Sequence, residues 1–308
     1  MNTGKILKSE KPFVEWPTLL VMIATYLTLG LATTWLAGLS LPLAIFVTGI
    51  AIAQYSSLQH EVLHGHPFRS QFLSETTVFL GVTIFIPYIR FKDTHLAHHH
   101  DPILTDPYDD PESNFMDPKL WLRMPKFGQA LLKANNTLLG RILIGPGLSA
   151  WCFIRADMQA VMKGDRHLLN AWLLHAIGVA LVVGWLLATG DMPIWAYVIA
   201  AYFGFGLLKI RTFLEHRAHD LARARSVVIA DRGFFALLFL NNNFHSVHHS
   251  QPGLAWYHLP QLFAQNRDHY LARNDGYFYA TYAQIFRQYF FRAKDTVPHP
   301  IWTEAEKN

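Results

Sequence analysis

Four short histidine clusters carry the chemistry this chain could do. They read HEVLHGH at 60–66, HLAHHH at 95–100, EHRAH at 215–219 and HSVHH at 245–249, and they hold 12 of the 17 histidines. Spacings of three and four place side chains on one face of a helix. His60 and His64 therefore point together, as do His95, His98 and His99, and likewise His245, His248 and His249. Neutral imidazole is a ligand for iron, copper, zinc and nickel. Eight such groups on three segments exceed what one tetrahedral ion takes and suit two metals. Facing helices can hold a metal pair between them. Glu61, Asp93, Asp101 and Glu215 stand beside these histidines and are candidate acceptors for the far ring nitrogens, with His219 as a further outer partner. His66 and His100 are open between a site role and a structural one. His167, His175, His258, His269 and His299 are isolated and read as structural.

The elements that must position these clusters are apolar. Residues 17–58 contain no Asp, Glu, Lys or Arg, and residues 167–208 contain only Asp191. Each stretch is 42 residues, enough for two spans of about 20 residues and a tight turn. The expected spans are about 17–37, 41–58, 168–189 and 193–213, paired as two hairpins turning at 37–40 and 190–192. The fold class expected is all-α integral membrane, one domain over 1–308, with a helical cap at 59–167 and 214–308 carrying the histidine boxes. If both hairpin tips face one side, all 26 Lys and Arg lie at or beyond the other ends, which puts both termini and the cap in the cytoplasm. Lys5, Lys8 and Lys11 precede the first span, and without a small-residue cleavage site that span reads as retained. Shorter apolar stretches at 78–89, 138–154 and 234–240 read either as interfacial or re-entrant segments or as ordinary core helices.

Composition agrees with a membrane class: 51% of residues are hydrophobic and 16% charged, against about 25% charged in soluble domains. The net charge of +4 comes without a basic, aromatic-interleaved face, so nucleic acid is not an expected partner and anionic lipid is. The single cysteine, Cys152, excludes a disulfide, a cysteine zinc site or an iron–sulfur cluster within the chain.

In its boxes the chain resembles the membrane fatty acid desaturase and hydroxylase superfamily, whose pattern is HxxxH, HxxHH and HxxHH. Here the boxes read HEVLH, HLAHH and HSVHH, with two spans between the second and third. The resemblance covers about residues 17–265. RTFLEH at 211–216 is similar to the segment after the fourth span that supplies a further histidine ligand, which implies His216. PGLAWYHLP at 252–260 and the acidic loop DPYDDPES at 106–113 resemble bacterial members, which points to a bacterial inner membrane. No chemical role is assigned to the loop on this reading: a helix cap, a contact to a charged substrate or partner, and a solvated turn all stay open, with the turn first. The resemblance implies two non-haem irons, dioxygen as co-substrate, and removal of hydrogen from an unactivated carbon of a fatty acyl or lipid chain. Desaturation is the first expectation. Hydroxylation or ketolation of an alkyl, lipid or carotenoid substrate is the alternative, since these reactions share a centre and differ in substrate pose. With one cysteine and no flavin or nicotinamide fingerprint, electrons are expected from a separate ferredoxin, rubredoxin or cytochrome-type donor with its reductase.

Three rivals come from the same residues. HEVLH is literally HExxH, the zinc protease motif, with Glu61 as general base; it leaves the other two boxes unexplained. A carboxylate di-iron bundle needs two Glu-x-x-His motifs, and only Glu61 to His64 provides one. A metal transporter should carry ionisable groups along its spans, and apart from Lys209 and Arg211 at the end of the fourth these hold only His175.

Overall fold

The computed structural model describes residues 13–302 apart from the side chain of Asp101. Lys5, Lys8, Lys11 and the Asp101 side chain therefore lie outside the described residues.

Among the described residues, four helices are long and apolar enough to cross a membrane: Trp16–Leu39, Leu41–Leu63, Arg166–Thr189 and Ile194–Thr212. Pro17 and Pro42 sit in the first turns of the first two, where a missing N–H costs nothing. The Asp165 carboxylate opens the third by accepting from the Leu168 N–H at 3.0 Å. The turns fall where the sequence places them, at Ser40 and at Gly190 to Pro193. The second span departs from expectation. It runs five residues past Leu58 to Leu63, because its last turns are buried and the helix continues into the first histidine box. Its partner is the fourth span. Gly49 and Gly204 face each other so closely that a Cβ on Gly204 would lie 2.6 Å from the Gly49 carbonyl oxygen. Small residues at such a crossing let two helix backbones pack directly, which replaces the hydrophobic drive that lipid does not supply. Leu27, Leu173, Leu187 and Trp195 lie exposed on the periphery of the spans, as a lipid-facing surface requires.

The two turns lie side by side. The Thr33 carbonyl accepts the Met192 N–H at 3.2 Å, the Trp185 indole donates to the Thr33 hydroxyl at 3.0 Å, and Gly38 abuts the Asp191 carboxylate. A π-helical turn at Ala32–Leu36 accompanies these contacts, the usual mark of a local insertion in a helix.

Residues 77–86 are irregular, yet they pack among all four spans. Tyr26 donates to the Thr77 carbonyl at 2.5 Å, Tyr55 to Leu80 at 2.7 Å, Tyr197 to Val82 at 2.8 Å and His175 to Ile84 at 3.1 Å. Each carbonyl left unsatisfied in an apolar layer would cost several kcal/mol. One phenol or imidazole from each span removes that cost. The isolated reading of His175 as a residue without neighbours does not hold: it is the third span's donor to this segment. Pro87 then caps the helix Tyr88–His98, which delivers the second box.

The stretch with Gly-Pro-Gly becomes the helix Gly145–Met162, with Pro146 in its first turn. Beyond the fourth span the described residues form short helices, His245–Ser250 among them, and one two-stranded parallel pairing of Val228–Ile229 with Phe278–Tyr279. The helical class stands, with this pairing as the addition. It buries Val228 and Ile229, and the Ser246 N–H donates to the Val227 carbonyl, which ties the third box to the segment after His216.

Candidate metal centre

Every boxed histidine and His216 arrive in one region, from four different elements. The second span ends at Leu63 with His60 in its last turn and His64 as its cap. Tyr88–His98 carries His95 and His98, with His99 as its cap. His245–Ser250 is six residues of helix and holds the third box. His216 follows the fourth span in a bridge to Ser226.

The nine imidazoles divide into two sets. His60, His64, His95, His99 and His248 form one, and His98, His216, His245 and His249 the other, each with its nitrogens within 4.8 Å of one another. Two donors on one ion at about 2.0–2.1 Å are at most about 4.2 Å apart, so small ring movements close either set on a metal. The boxed residues expected to share helical faces do come together, but each of the last two boxes is shared between the sets rather than serving one.

The ring nitrogens of both sets converge. Nε2 of His98 lies 2.8 Å from Nε2 of His216, His99 2.9 Å from His95, His245 3.0 Å from His216, and His248 3.1 Å from His99. The far nitrogens of two of these rings are committed as donors: His95 Nδ1 to Glu112 Oε1 at 3.0 Å and His98 Nδ1 to Asp110 Oδ1 at 2.7 Å. That leaves each Nε2 directed at another imidazole nitrogen. His60 and His64 each bury an Nε2 that has no hydrogen-bond partner. Converging and orphaned ring nitrogens are what a positive ion in each set would satisfy.

The electrostatics point the same way. Burial would lower the His98 imidazole, but the carboxylates of Glu112 and Asp110 outweigh it and hold the ring up at about 9. Burial would raise the Glu112 carboxyl, and the His98 and His95 rings hold it far below the carboxylate range. These carboxylates thus stabilise positive charge at the rings, the condition a bound cation needs. Away from them, burial and neighbouring imidazoles push His64 down to about 2 and His216 well below its usual value, which keeps both neutral and able to ligate.

The outer partners differ from expectation. Glu61 lies on the Nδ1 side of His60 at 3.7 Å and accepts the Trp256 N–H at 3.2 Å. Glu215 is buried, 3.7 Å from His245 Nδ1 and 3.2 Å from Arg211 Nε, and accepts from Asn242 at 3.3 Å. Asp93 is not at the centre: it is partly exposed and pairs with His167 at 2.7 Å, because its position on the helix faces away from His95 and His98. His219 also turns away, with Nδ1 accepting from the Leu221 N–H and Nε2 facing Asp275 at 3.3 Å. His66 is buried against Glu15 at 2.6 Å and His100 is exposed, so neither joins the sets. Sequence reasoning missed Asp110, Glu112, Ser226 and Asn242. The acidic loop is no solvated turn, since it supplies both carboxylates to the second box. The signal available was its position directly after that box.

The HExxH reading fails on this geometry. His60 and His64 meet three imidazoles from two other boxes, and Glu61 sits behind His60 rather than across from a third ligand.

A model of the fatty acid desaturase family matches residues 11–281. No individual curated protein matches the chain significantly. With the family's match spanning most of the chain, four apolar spans and histidine sets poised for two metals, this protein is an oxidoreductase of the membrane and belongs to the fatty acid desaturase family.

Proposed function

We propose that this protein is an O2-dependent di-iron desaturase that introduces a double bond into a fatty acyl or lipid chain. His60, His64, His95, His99 and His248 would hold one iron and His98, His216, His245 and His249 the other. The observation that carries this is the division of nine imidazoles into two sets. The irons, with dioxygen, supply the oxidising power to remove hydrogen from an unactivated carbon. The chain's own work is positional. Asp110 and Glu112 keep a proton on the outer nitrogen of His98 and His95, so the inner nitrogens face the metals. A cavity of about 540 Å³ touches His216, Glu112 and Glu215, and its walls include Ile52, Phe85, Phe205 and Leu208. It lies in the size range of ligand sites, and apolar walls of this kind hold a hydrocarbon and exclude water. Cys152 is alone in the chain, so electrons would come from a separate carrier of ferredoxin, rubredoxin or cytochrome type with its reductase.

Protein purified from iron-replete cells is expected to contain close to two irons per chain. With lipid, oxygen, a carrier and its reductase it should yield product lighter by two hydrogens. Product heavier by one oxygen would move the reading to hydroxylation. One zinc, no iron and no turnover on iron loading would overturn it, as would full turnover on NADH alone for the donor requirement.

The side-by-side turns and the Lys/Arg distribution support both termini and the centre on the cytoplasmic face. Reporters fused at Ser40 and Gly190 should read outside, and those at Asp110 and Glu304 inside. An outside signal at Asp110 would break this orientation.

A further inference from the structure

Five cationic side chains line the cavity beside the centre. Three have a carboxylate: Arg90 pairs with Asp157 at 2.9 Å, Arg211 with Glu215 at 3.2 Å and Lys294 with Asp295 at 3.3 Å. Arg141 and Lys209 have none among the described residues. Arg141 is 5% exposed and donates to the Asn135 carbonyl at 3.0 Å and to the Asn114 side chain. Lys209 donates to the Ser149 hydroxyl at 2.8 Å and lies over the Phe205 ring. The two are neighbours: a Cβ on Gly145 would lie 3.2 Å from Arg141 Cδ and 3.5 Å from Lys209 Cγ.

A guanidinium and an amine held together and out of water, with only neutral acceptors in hydrogen-bond reach, leave positive charge without a direct partner, which is costly. Burial lowers the Arg141 guanidinium only to about 10, so its charge persists at neutral pH. Every other cation around this cavity is matched by an acid of the chain. The mismatch is confined to the pair that shares a cavity with apolar walls and the metal-facing His216. The complement of such a pair is an anion at the end of an apolar body.

We propose that Arg141 and Lys209 bind the anionic group, a carboxylate or phosphate, of an amphiphilic substrate whose hydrocarbon part lies along the same cavity. This rests on the oxygenase reading and narrows its substrate class: the acid end is held inside the protein, in the cavity that adjoins the centre.

The test uses iron-loaded protein in a neutral maltoside detergent, with binding of dodecanoate, dodecyl phosphate, dodecanol and inorganic phosphate measured by calorimetry. A charged hydrogen bond is worth about tenfold or more in affinity. Dodecanoate or dodecyl phosphate should therefore bind at least about tenfold more tightly than dodecanol. Arg141→Gln and Lys209→Gln should each remove about tenfold of that preference, leaving dodecanol binding and iron content as in the unmodified protein. Arg141→Lys, which keeps the charge, should retain most of it. Whichever of the two anions binds more tightly names the head group. Equal affinity for the acids and dodecanol, or glutamine variants that bind the acids as before, would overturn the proposal. Inorganic phosphate binding as tightly as dodecyl phosphate would overturn the amphiphile part of it. The two readings fail separately. Charge-dependent binding with no oxidised product from any chain would count against the oxygenase, and equal turnover of dodecanol and dodecanoate in all variants would count against the anion site alone.

Discussion

Replacing His216 with alanine is expected to leave close to one metal per chain instead of two and to lower product formation by at least about 100-fold, the upper end of what losing even an outer partner of a ligand costs. His216 is the imidazole on which the smaller set turns. Its Nε2 lies 2.8 Å from that of His98 and 3.0 Å from that of His245, and its Nδ1 is held by the Ser226 hydroxyl at 3.2 Å. Without it, three imidazoles remain in that set, while the set of five keeps all its members. His219→Ala should keep both metals and most activity, because His219 contacts the exposed Asp275 and surface changes of this kind stay within about 0.5 kcal/mol. His175→Ala should also keep both metals, but with a lower melting temperature, since the Ile84 carbonyl loses its donor inside the membrane layer. Metal analysis and product assay on the three variants decide it. Two metals and normal turnover in His216→Ala, or metal loss in His219→Ala, would exchange the roles assigned to them.

The contrast between His216 and His219 shows what the sequence could carry. The spacing of three allowed both to share a helical face, and only the family pattern favoured His216. The helix ends at Thr212, so the face argument never applied, and the chain past it is shaped by pairing with Ser226 and Arg225. The boxes themselves were legible because each lies at or near a helix end, where local periodicity fixes which side chains share a face. The spans were legible from the absence of charge. Their lower limit was not: the second span ends by burial rather than by composition, and Glu61 is carried inside it. Likewise His175 looked alone because its partner is a backbone carbonyl 91 residues away, which no pattern of side chains records.

The acidic loop escaped for a related reason. Residues 106–113 have no period, and Asp, Pro and Ser in a run describe any exposed turn. What makes this loop part of the centre is its return path. The Thr105 N–H donates to Asp110 Oδ2 at 2.8 Å and the Glu112 N–H to Asp110 Oδ1 at 2.9 Å, so the backbone folds around one carboxylate. That carboxylate is buried, and the loop lies over the second box with Glu112 beside it.

Asp110→Asn is therefore expected to lower metal affinity at the set of four by about 10–100-fold while the set of five stays filled. The Asp110 carboxylate accepts on both oxygens: Oδ1 takes the His98 ring N–H at 2.7 Å and the Glu112 N–H, and Oδ2 takes the Thr105 N–H. An amide keeps one acceptor oxygen and turns the other position into a donor. Either His98 loses its partner or the Thr105 N–H faces another N–H, and in both orientations the negative charge that stabilises a cation-bound imidazole is gone. Glu112→Gln should do less, about tenfold at most and at the set of five, because Glu112 is partly exposed and a glutamine carbonyl can still accept from His95. Asp93→Asn is the control and should leave both affinities unchanged, since Asp93 serves His167 on the surface. Chelator competition on the purified variants reads the two affinities separately, and melting temperature shows whether the fold survives. If Asp110→Asn keeps both metals at unmodified affinity, or loses both with a collapsed melting transition, the carboxylate is a fold element of the loop and not the partner that orients His98.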